Sequence, residues 1–99
     1  MEASSVSRLN AVIHERARLG LMSVLAARSA LTFAELKALL DLTDGNLSVH
    51  LRILEEAGYV SIEKKFVGRK PQTTVKISKK GRLAFEHYVE VLEEIVRKK

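Results

Sequence analysis

Apolar residues in the first third of the chain recur at intervals of three and four, the spacing of a helix that buries one side. This pattern predicts a long first helix ending near Arg28, with two shorter helices as the alternative, because Gly20 is unfavourable inside a helix. The stripe consists of Leu9, Val12, Ile13, Ala17, Leu21, Val24 and Leu25.

Two shorter helices follow, joined by a brief turn. Thr32 opens a capping box ahead of a helix over about 33–40, and Thr43 can cap a helix over about 44–57. Gly58 then suits the left-handed backbone that ends many helices. Because the connecting turn is so short, the two helix axes must cross, as in a helix-turn-helix pair.

Beyond the third helix the apolar period changes from helical to alternating. Val60 and Ile62 alternate with polar residues, as do Val75 and Ile77, so two half-buried strands are expected. The turn between them holds a glycine and two cations. The pattern predicts a basic β-hairpin, or wing, over about 59–78. Two aromatic residues in this region, Tyr59 and Phe66, are interpreted as strand packing because no other aromatic residue shares their face.

The last part of the chain returns to helical spacing, and Ser78 can cap a helix over about 79–97. Its apolar stripe is wider than one small core requires, and the predicted first helix extends beyond that core. Both helices are therefore expected to pair with a second copy of the chain. The predicted dimer interface comprises Leu9, Val12, Ile13, Phe85, Tyr88, Val89, Leu92, Ile95 and Val96.

Charge is distributed unevenly along the chain. The net charge is +5, yet outside one segment the chain has nine basic residues and twelve acidic ones. That segment, 64–82, contains eight basic residues and no acid. This concentration favours a polyanionic partner. The eight residues are Lys64, Lys65, Arg69, Lys70, Lys76, Lys79, Lys80 and Arg82.

Composition narrows the class of protein. Ninety-nine residues suit a single domain, 1–99, and the absence of cysteine excludes disulfides and thiolate metal sites. No glycine-rich phosphate loop and no nucleophile–histidine–acid set is present, so we expect neither an enzyme nor a bound cofactor. No apolar run approaches the ~18 residues that a bilayer requires, and the first residues lack a signal-peptide pattern; a cytoplasmic location is expected.

The order helix, helix, turn, helix, basic hairpin, helix is that of a winged helix-turn-helix domain, which is α+β: mainly α with a small β-hairpin. Residues 47–51 read Leu-Ser-Val-His-Leu and residues 54–60 read Leu-Glu-Glu-Ala-Gly-Tyr-Val. Together with Gly-Arg-Lys-Pro at 68–71, they resemble the MarR and ArsR groups of prokaryotic transcriptional regulators. The resemblance implies a helix-turn-helix over about 33–57 that binds double-stranded DNA.

Candidate DNA contacts lie on the third helix and the wing. Small and hydrogen-bonding groups on the helix suit the major groove, where Arg52 could bond a guanine edge or a phosphate and Val49 could touch a thymine methyl. Cations of the wing suit phosphates or the minor groove. The candidates are Thr43, Asn46, Ser48, Val49, His50, Arg52, Lys64, Lys65, Arg69 and Lys70.

These features predict a homodimeric repressor specific for a DNA sequence, with two alternatives. The same fold could serve as a protein-interaction module whose hairpin docks an acidic partner. It could also belong to a sensor of a small molecule or a metal, since His87 with Glu86 and Glu90 could bind a divalent ion with the partner's His14. A polar outer helix face and lysines that discourage strand pairing also occur without any DNA.

Overall fold

The computed structural model describes residues 6–97, in which four helices enclose a core with one small sheet. In chain order the elements are α1 (Arg16–Arg28), β1 (Ala30–Thr32), α2 (Phe33–Leu40), α3 (Asp44–Glu56), β2 (Val60–Val67), β3 (Lys70–Ile77) and α4 (Lys79–Arg97). This order confirms the predicted α+β winged-helix fold. The hairpin of β2 and β3 is the predicted wing.

The sheet has three antiparallel strands in the order β1-β3-β2, one more than the predicted hairpin. Leu31 of β1 lies opposite Val75, and β2 and β3 pair from Val60 with Ile77 to Val67 with Lys70. Strand β1 was not predicted because its three residues are too few to show alternation. Its pairing covers one edge of β3 near the core and leaves the wing to project beyond it.

The prediction of a long first helix is wrong in its first part, since α1 begins at Arg16. The Asn10 side chain accepts hydrogen bonds from the backbone N–H groups two and three residues further on, at 2.9 and 3.2 Å. Glu15 then caps α1 by accepting the Arg18 N–H at 2.9 Å. Such bonds offer the backbone an alternative to helix, so the apolar spacing continues through turns before Glu15.

The predicted caps of the next two helices are confirmed. Thr32 Oγ1 accepts the Glu35 N–H at 3.1 Å while Glu35 Oε1 accepts the Thr32 N–H at 2.8 Å, which completes the capping box and lowers the pKa of Glu35. Thr43 Oγ1 accepts the Asn46 N–H at 3.1 Å. Gly58 has a φ of 81°, the left-handed conformation that the sequence predicted.

The root of the wing is tied to the start of α4. Ser78 Oγ accepts the Gly81 N–H at 2.9 Å and donates to the Gly58 carbonyl at 2.6 Å. Gly81 is buried so closely against Tyr59 that a Cβ there would overlap the Tyr59 carbonyl oxygen. Glycine is therefore required by the packing between α4 and the strand entry.

Side chains from every layer form one apolar core. Leu21, Leu25, Leu36, Leu47, Leu54 and Val75 are fully buried in it. Each buried Leu stabilises the fold by about 1.5–3 kcal/mol relative to an exposed position. The inward leucines of α3 hold this helix on the body, so its opposite side is free to face a partner.

The N-terminal segment covers part of its apolar surface on the chain itself. Ile13 and Tyr88, two residues predicted at a dimer interface, are 0% and 2% exposed in the core. The Tyr88 hydroxyl is hydrogen-bonded to His14 Nδ1 at 2.7 Å, and burial raises the pKa of this tyrosine. Their side chains pack within one subunit, and the other seven residues remain candidates for the interface.

Candidate nucleic-acid interface

Helix α3 and the wing lie side by side, and an open groove of about 670 Å³ runs between them. Residues Ser48, Arg52 and Glu55 of α3 form one wall, and Ile62, Lys64 and Thr73 of the hairpin form the other. The structure therefore brings the two surfaces that the sequence singled out to one side of the molecule.

The outer side of α3 is free of packing. Leu47, Leu51 and Leu54 face the core, whereas Asn46, Ser48, Val49 and Arg52 are exposed, Val49 by 51%. Thr43 is also exposed, although its hydroxyl caps the helix. Short side chains in the first turns allow the helix backbone to come close to the base edges of a DNA major groove. The longer Arg52 side chain can reach bases or phosphates further from the helix.

His50 is the one candidate on α3 that is half-buried. Arg18 Nη1 donates to His50 Nδ1 at 3.0 Å, and a Glu15 carboxylate oxygen lies 3.6 Å from the same nitrogen. Arg18 also donates from Nε to the Val12 carbonyl at 2.6 Å. The Arg18 N–H lowers the pKa of Glu15, and the neighbouring Arg18 charge acts in the same direction. In this arrangement His50 ties α3 to the start of α1.

The wing projects as a thin, exposed hairpin. All residues from 63 to 72 are exposed, and the hairpin reverses at Gly68, whose φ is 66°. Glycine with positive φ at the first position of a two-residue turn matches the twist of the flanking strands. Its cations Lys64, Lys65, Arg69 and Lys70 are all exposed, and none of them is paired with an acid within residues 6–97.

The interpretation of Phe66 as strand packing is wrong, because its side chain is 72% exposed near the tip of the wing. The helices cover the hairpin near its root, and Phe66 is not among the apolar residues that pack on the core. Tyr59, by contrast, is half-buried at the root and its hydroxyl accepts from Asn10 Nδ2 at 2.8 Å. The strand pattern alone does not show where along the hairpin the helices stop.

Two cations of the acid-free segment support the fold. Arg82 donates to the Ala26 carbonyl at 2.9 Å and to Ser29 Oγ at 3.2 Å, closing the end of α1. Lys80 Nζ lies 5.9 Å from the centre of the Tyr59 ring. Five of the eight cations of this segment, Lys64, Lys65, Arg69, Lys70 and Lys76, lie exposed on the hairpin, so most of the positive charge available to a partner is in the wing.

Comparison with known proteins agrees with this geometry. The sequence profile of the winged helix DNA-binding domain family matches residues 17–96. The chain belongs to this family. The matched region of this winged-helix domain includes α3, the wing and almost all of α4.

Two proteins from archaeal species are similar to this chain in sequence or structure. The uncharacterized protein MJ0432 of Methanocaldococcus jannaschii is 40% identical over 77 residues, which are 77% of this chain and 84% of that protein. A transcriptional regulator homologue from Pyrococcus horikoshii OT3 superposes with a TM-score of 0.88 at 28% identity over 94% of each chain.

More distant structures share the fold. Reduced AbfR bound to DNA has a TM-score of 0.74 at 22% identity, covering 98% of this chain and 76% of that one. A MarR family transcriptional regulator from Silicibacter pomeroyi has a TM-score of 0.70 at 20% identity, covering 93% of this chain and 61% of that one. The winged-helix domain is thus MarR-like in fold, and its family and fold are those of a DNA-binding transcriptional regulator.

Two other expectations concern metals and membranes. Within residues 6–97, no three His or acidic side chains come together in a way that could hold a metal ion, and His87, Glu86 and Glu90 are exposed along α4. None of the helices in this part of the chain is both long and apolar enough to cross a bilayer.

Proposed function

We propose that this DNA-binding regulator is a homodimeric repressor that reads the major groove with α3 and contacts the backbone or minor groove with the wing. The observation that carries the proposal is the shared groove: exposed Arg52 and Ser48 of α3 face the same opening as Lys64 of the wing. A duplex presents base edges beside a charged backbone, so it needs such a pair of surfaces.

The exposed candidate residues differ in their proposed roles, and His50, which is held by Arg18, is not assigned a DNA contact. Arg52 bonds a guanine edge, Asn46 and Ser48 bond bases or phosphates, and Val49 contacts a thymine methyl. Lys64, Lys65, Arg69 and Lys70 bind phosphates without reading sequence. Thr43 caps α3 by accepting the Asn46 N–H, and the other N–H groups of the first turn would bind a phosphate.

The test is to select duplexes from a random pool and measure how Arg52→Ala binds them. We expect a loss of about 1–3 kcal/mol of binding free energy on the selected site, with relaxed preference at particular base pairs. Lys76→Ala is the control, because it removes a cation from the face of β3 opposite Ile77 and away from α3. Unchanged affinity and preference in Arg52→Ala would overturn the role of α3. Failure of the wild-type protein to bind any duplex at low salt would favour a protein-interaction module.

Dimerisation is proposed through one side of α4, whose apolar residues are only partly covered by the core of the subunit. Phe85, Val89, Leu92 and Val96 follow one another at intervals of four, three and four along this 19-residue helix, and Val96 is 66% exposed. At a rise of 1.5 Å per residue this stripe is about 16 Å long, and it can pack against the same stripe of a second copy related by two-fold symmetry. Such a dimer would present two α3 helices about 34–36 Å apart, which predicts a palindromic operator.

Val96→Asp tests this interface. Because Val96 is exposed in the subunit, the substitution should leave the fold intact while it weakens the dimer by about tenfold or more, measured by analytical ultracentrifugation. Leu39→Asp on α2, where Leu39 is 57% exposed, is the matched control outside the proposed interface. Equal dimerisation of the Val96→Asp variant and the wild type would contradict the interface.

A further inference from the structure

The tip of the wing combines unshielded apolar side chains with cations. Phe66 is the most exposed large apolar side chain among residues 6–97, and Val67 beside it is also exposed. Lys65 precedes them, and Arg69 and Lys70 follow. Cations at this place suit a phosphate backbone, but a phenyl ring gains nothing from phosphates or from water.

The strand register decides which way the phenyl ring points. Phe66 lies opposite Pro71, and alternation places both on the face of the hairpin that carries Ile62 and Lys64. That face forms the wall of the groove against α3. Val67 lies on the other face, so of the two exposed apolar side chains at the tip Phe66 is the one that points toward the side on which Arg52 is exposed.

Besides the thymine methyls of the major groove and the C–H groups of the sugars, the main apolar surface of a duplex is the stacked faces of its bases. A thin projection can reach them from the minor groove, where inserted apolar side chains partly unstack a base step and bend the DNA. Pro71 stiffens the strand opposite Phe66, and Pro lacks a backbone N–H that would require a partner. At the tip, the Phe66 ring thus lies beside a backbone that Pro71 restricts, and the flanking cations would attract this tip to the duplex.

We propose that Phe66, supported by Pro71, is an apolar wedge that enters the minor groove next to the site read by α3 and opens one base step. The inference rests on the proposed DNA contact of the wing and adds a second source of specificity. Flexible steps such as TA or CA open at lower cost than stiff A-tracts, so the protein would prefer them at a position where it makes no hydrogen bond to a base.

The experiment compares Phe66→Ala, Phe66→Leu and Val67→Ala on one selected duplex. Fluorescence energy transfer between the duplex ends reports bending, and 2-aminopurine placed in the minor-groove step reports unstacking. Phe66→Ala should lose the bend and the 2-aminopurine signal and bind about tenfold more weakly, with its salt dependence unchanged. Phe66→Leu should keep most of each signal. Val67→Ala removes a similar side chain from the opposite face and should match the wild type.

Other results would overturn the proposal. If Phe66→Ala bends and binds the duplex as the wild type does, Phe66 is no wedge, while the proposed function stands on Arg52. If the variant loses affinity equally for TA-containing and A-tract duplexes without a change in bending, Phe66 acts only as a contact. If it changes the oligomeric state, its partner is protein. If the wild-type protein binds no duplex, both the proposed function and the wedge are wrong. The Phe66→Ala variant tests the wedge alone, so the two failures can be told apart.

Discussion

The root and the tip of the wing differ sharply although they belong to the same two strands. At the root, Val60 and Val75 are buried and Ser78 and Gly81 join the strand ends to α4. At the tip, every side chain from 63 to 72 is exposed. One hairpin therefore serves two purposes, because burial at its root anchors the strands whose other end is exposed to a partner.

The largest effect is expected at the root. Gly81→Ala places a Cβ on the Tyr59 carbonyl, and backbone cannot give way as a flexible side chain can. We expect the free energy of unfolding to fall by about 2–3 kcal/mol, measured by urea denaturation. Gly45→Ala is the matched control, since nothing lies within 4 Å of a Cβ there and alanine favours helix by about 1 kcal/mol. Equal stabilities of the two variants would mean that the root is not tightly packed.

The tip should show the opposite behaviour. The double variant Arg69→Ala/Lys70→Ala removes two exposed, unpaired cations, so the stability should change by less than about 0.5 kcal/mol. Binding to all duplexes should weaken by about tenfold or more at low salt. If the wild-type dimer neutralises about six phosphates, its slope of log K against log salt is near −5. The variant lacks two cations in each subunit, so the magnitude of this slope should fall by about two for each subunit. A slope shared by both proteins would show that these cations do not touch phosphates.

The smallest effect is expected at Glu15, where the start of α1 contacts His50 of α3. Glu15→Gln keeps the size of the cap but loses the charge that faces Arg18 and His50, and should cost under about 1 kcal/mol because Glu15 is partly exposed. The pKa of Glu15 is lowered in the folded state, first by the Arg18 N–H. Its contribution is therefore complete above the carboxyl pKa of the unfolded chain and is lost as the pH falls through the lower folded value.

Urea unfolding of the wild type and Glu15→Gln at about pH 5.5 and about pH 3 measures this loss. The difference in stability should be largest at the higher pH and shrink at the lower one. Glu86→Gln, at an exposed position on α4, is the control. A difference that stays constant or grows as the pH falls would contradict the role of the Glu15 charge.

Short-range interactions account for the parts of the fold that could be predicted. The boundaries of α2 and α3 follow from Thr32, Glu35 and Thr43, whose side chains bond backbone groups three residues away. The predicted start of α1 is wrong because two short-range signals conflict there. Asn10 and Glu15 stop the helix, but their bonds compete with an apolar spacing that continues unbroken across them.

For the candidate interface, the sequence predicted which side chains are available but not which of them are used by the fold itself. Arg82 and His50 read as members of a basic segment and a polar helix face. The structure ties Arg82 to the end of α1 and His50 to Arg18, partners 56 and 32 residues away. No spacing rule connects such distant groups, since their contact depends on how the layers stack.

The amino-acid sequence by itself determined the order of the elements, most of their caps and the concentration of charge in the wing, because these depend on residues within a few positions of one another. Only the tertiary structure decided that α3 and the wing share one groove, that Gly81 must be glycine and that Phe66 is left uncovered. Each of these depends on how elements that are far apart in the sequence pack against one another, which is a property of the whole fold.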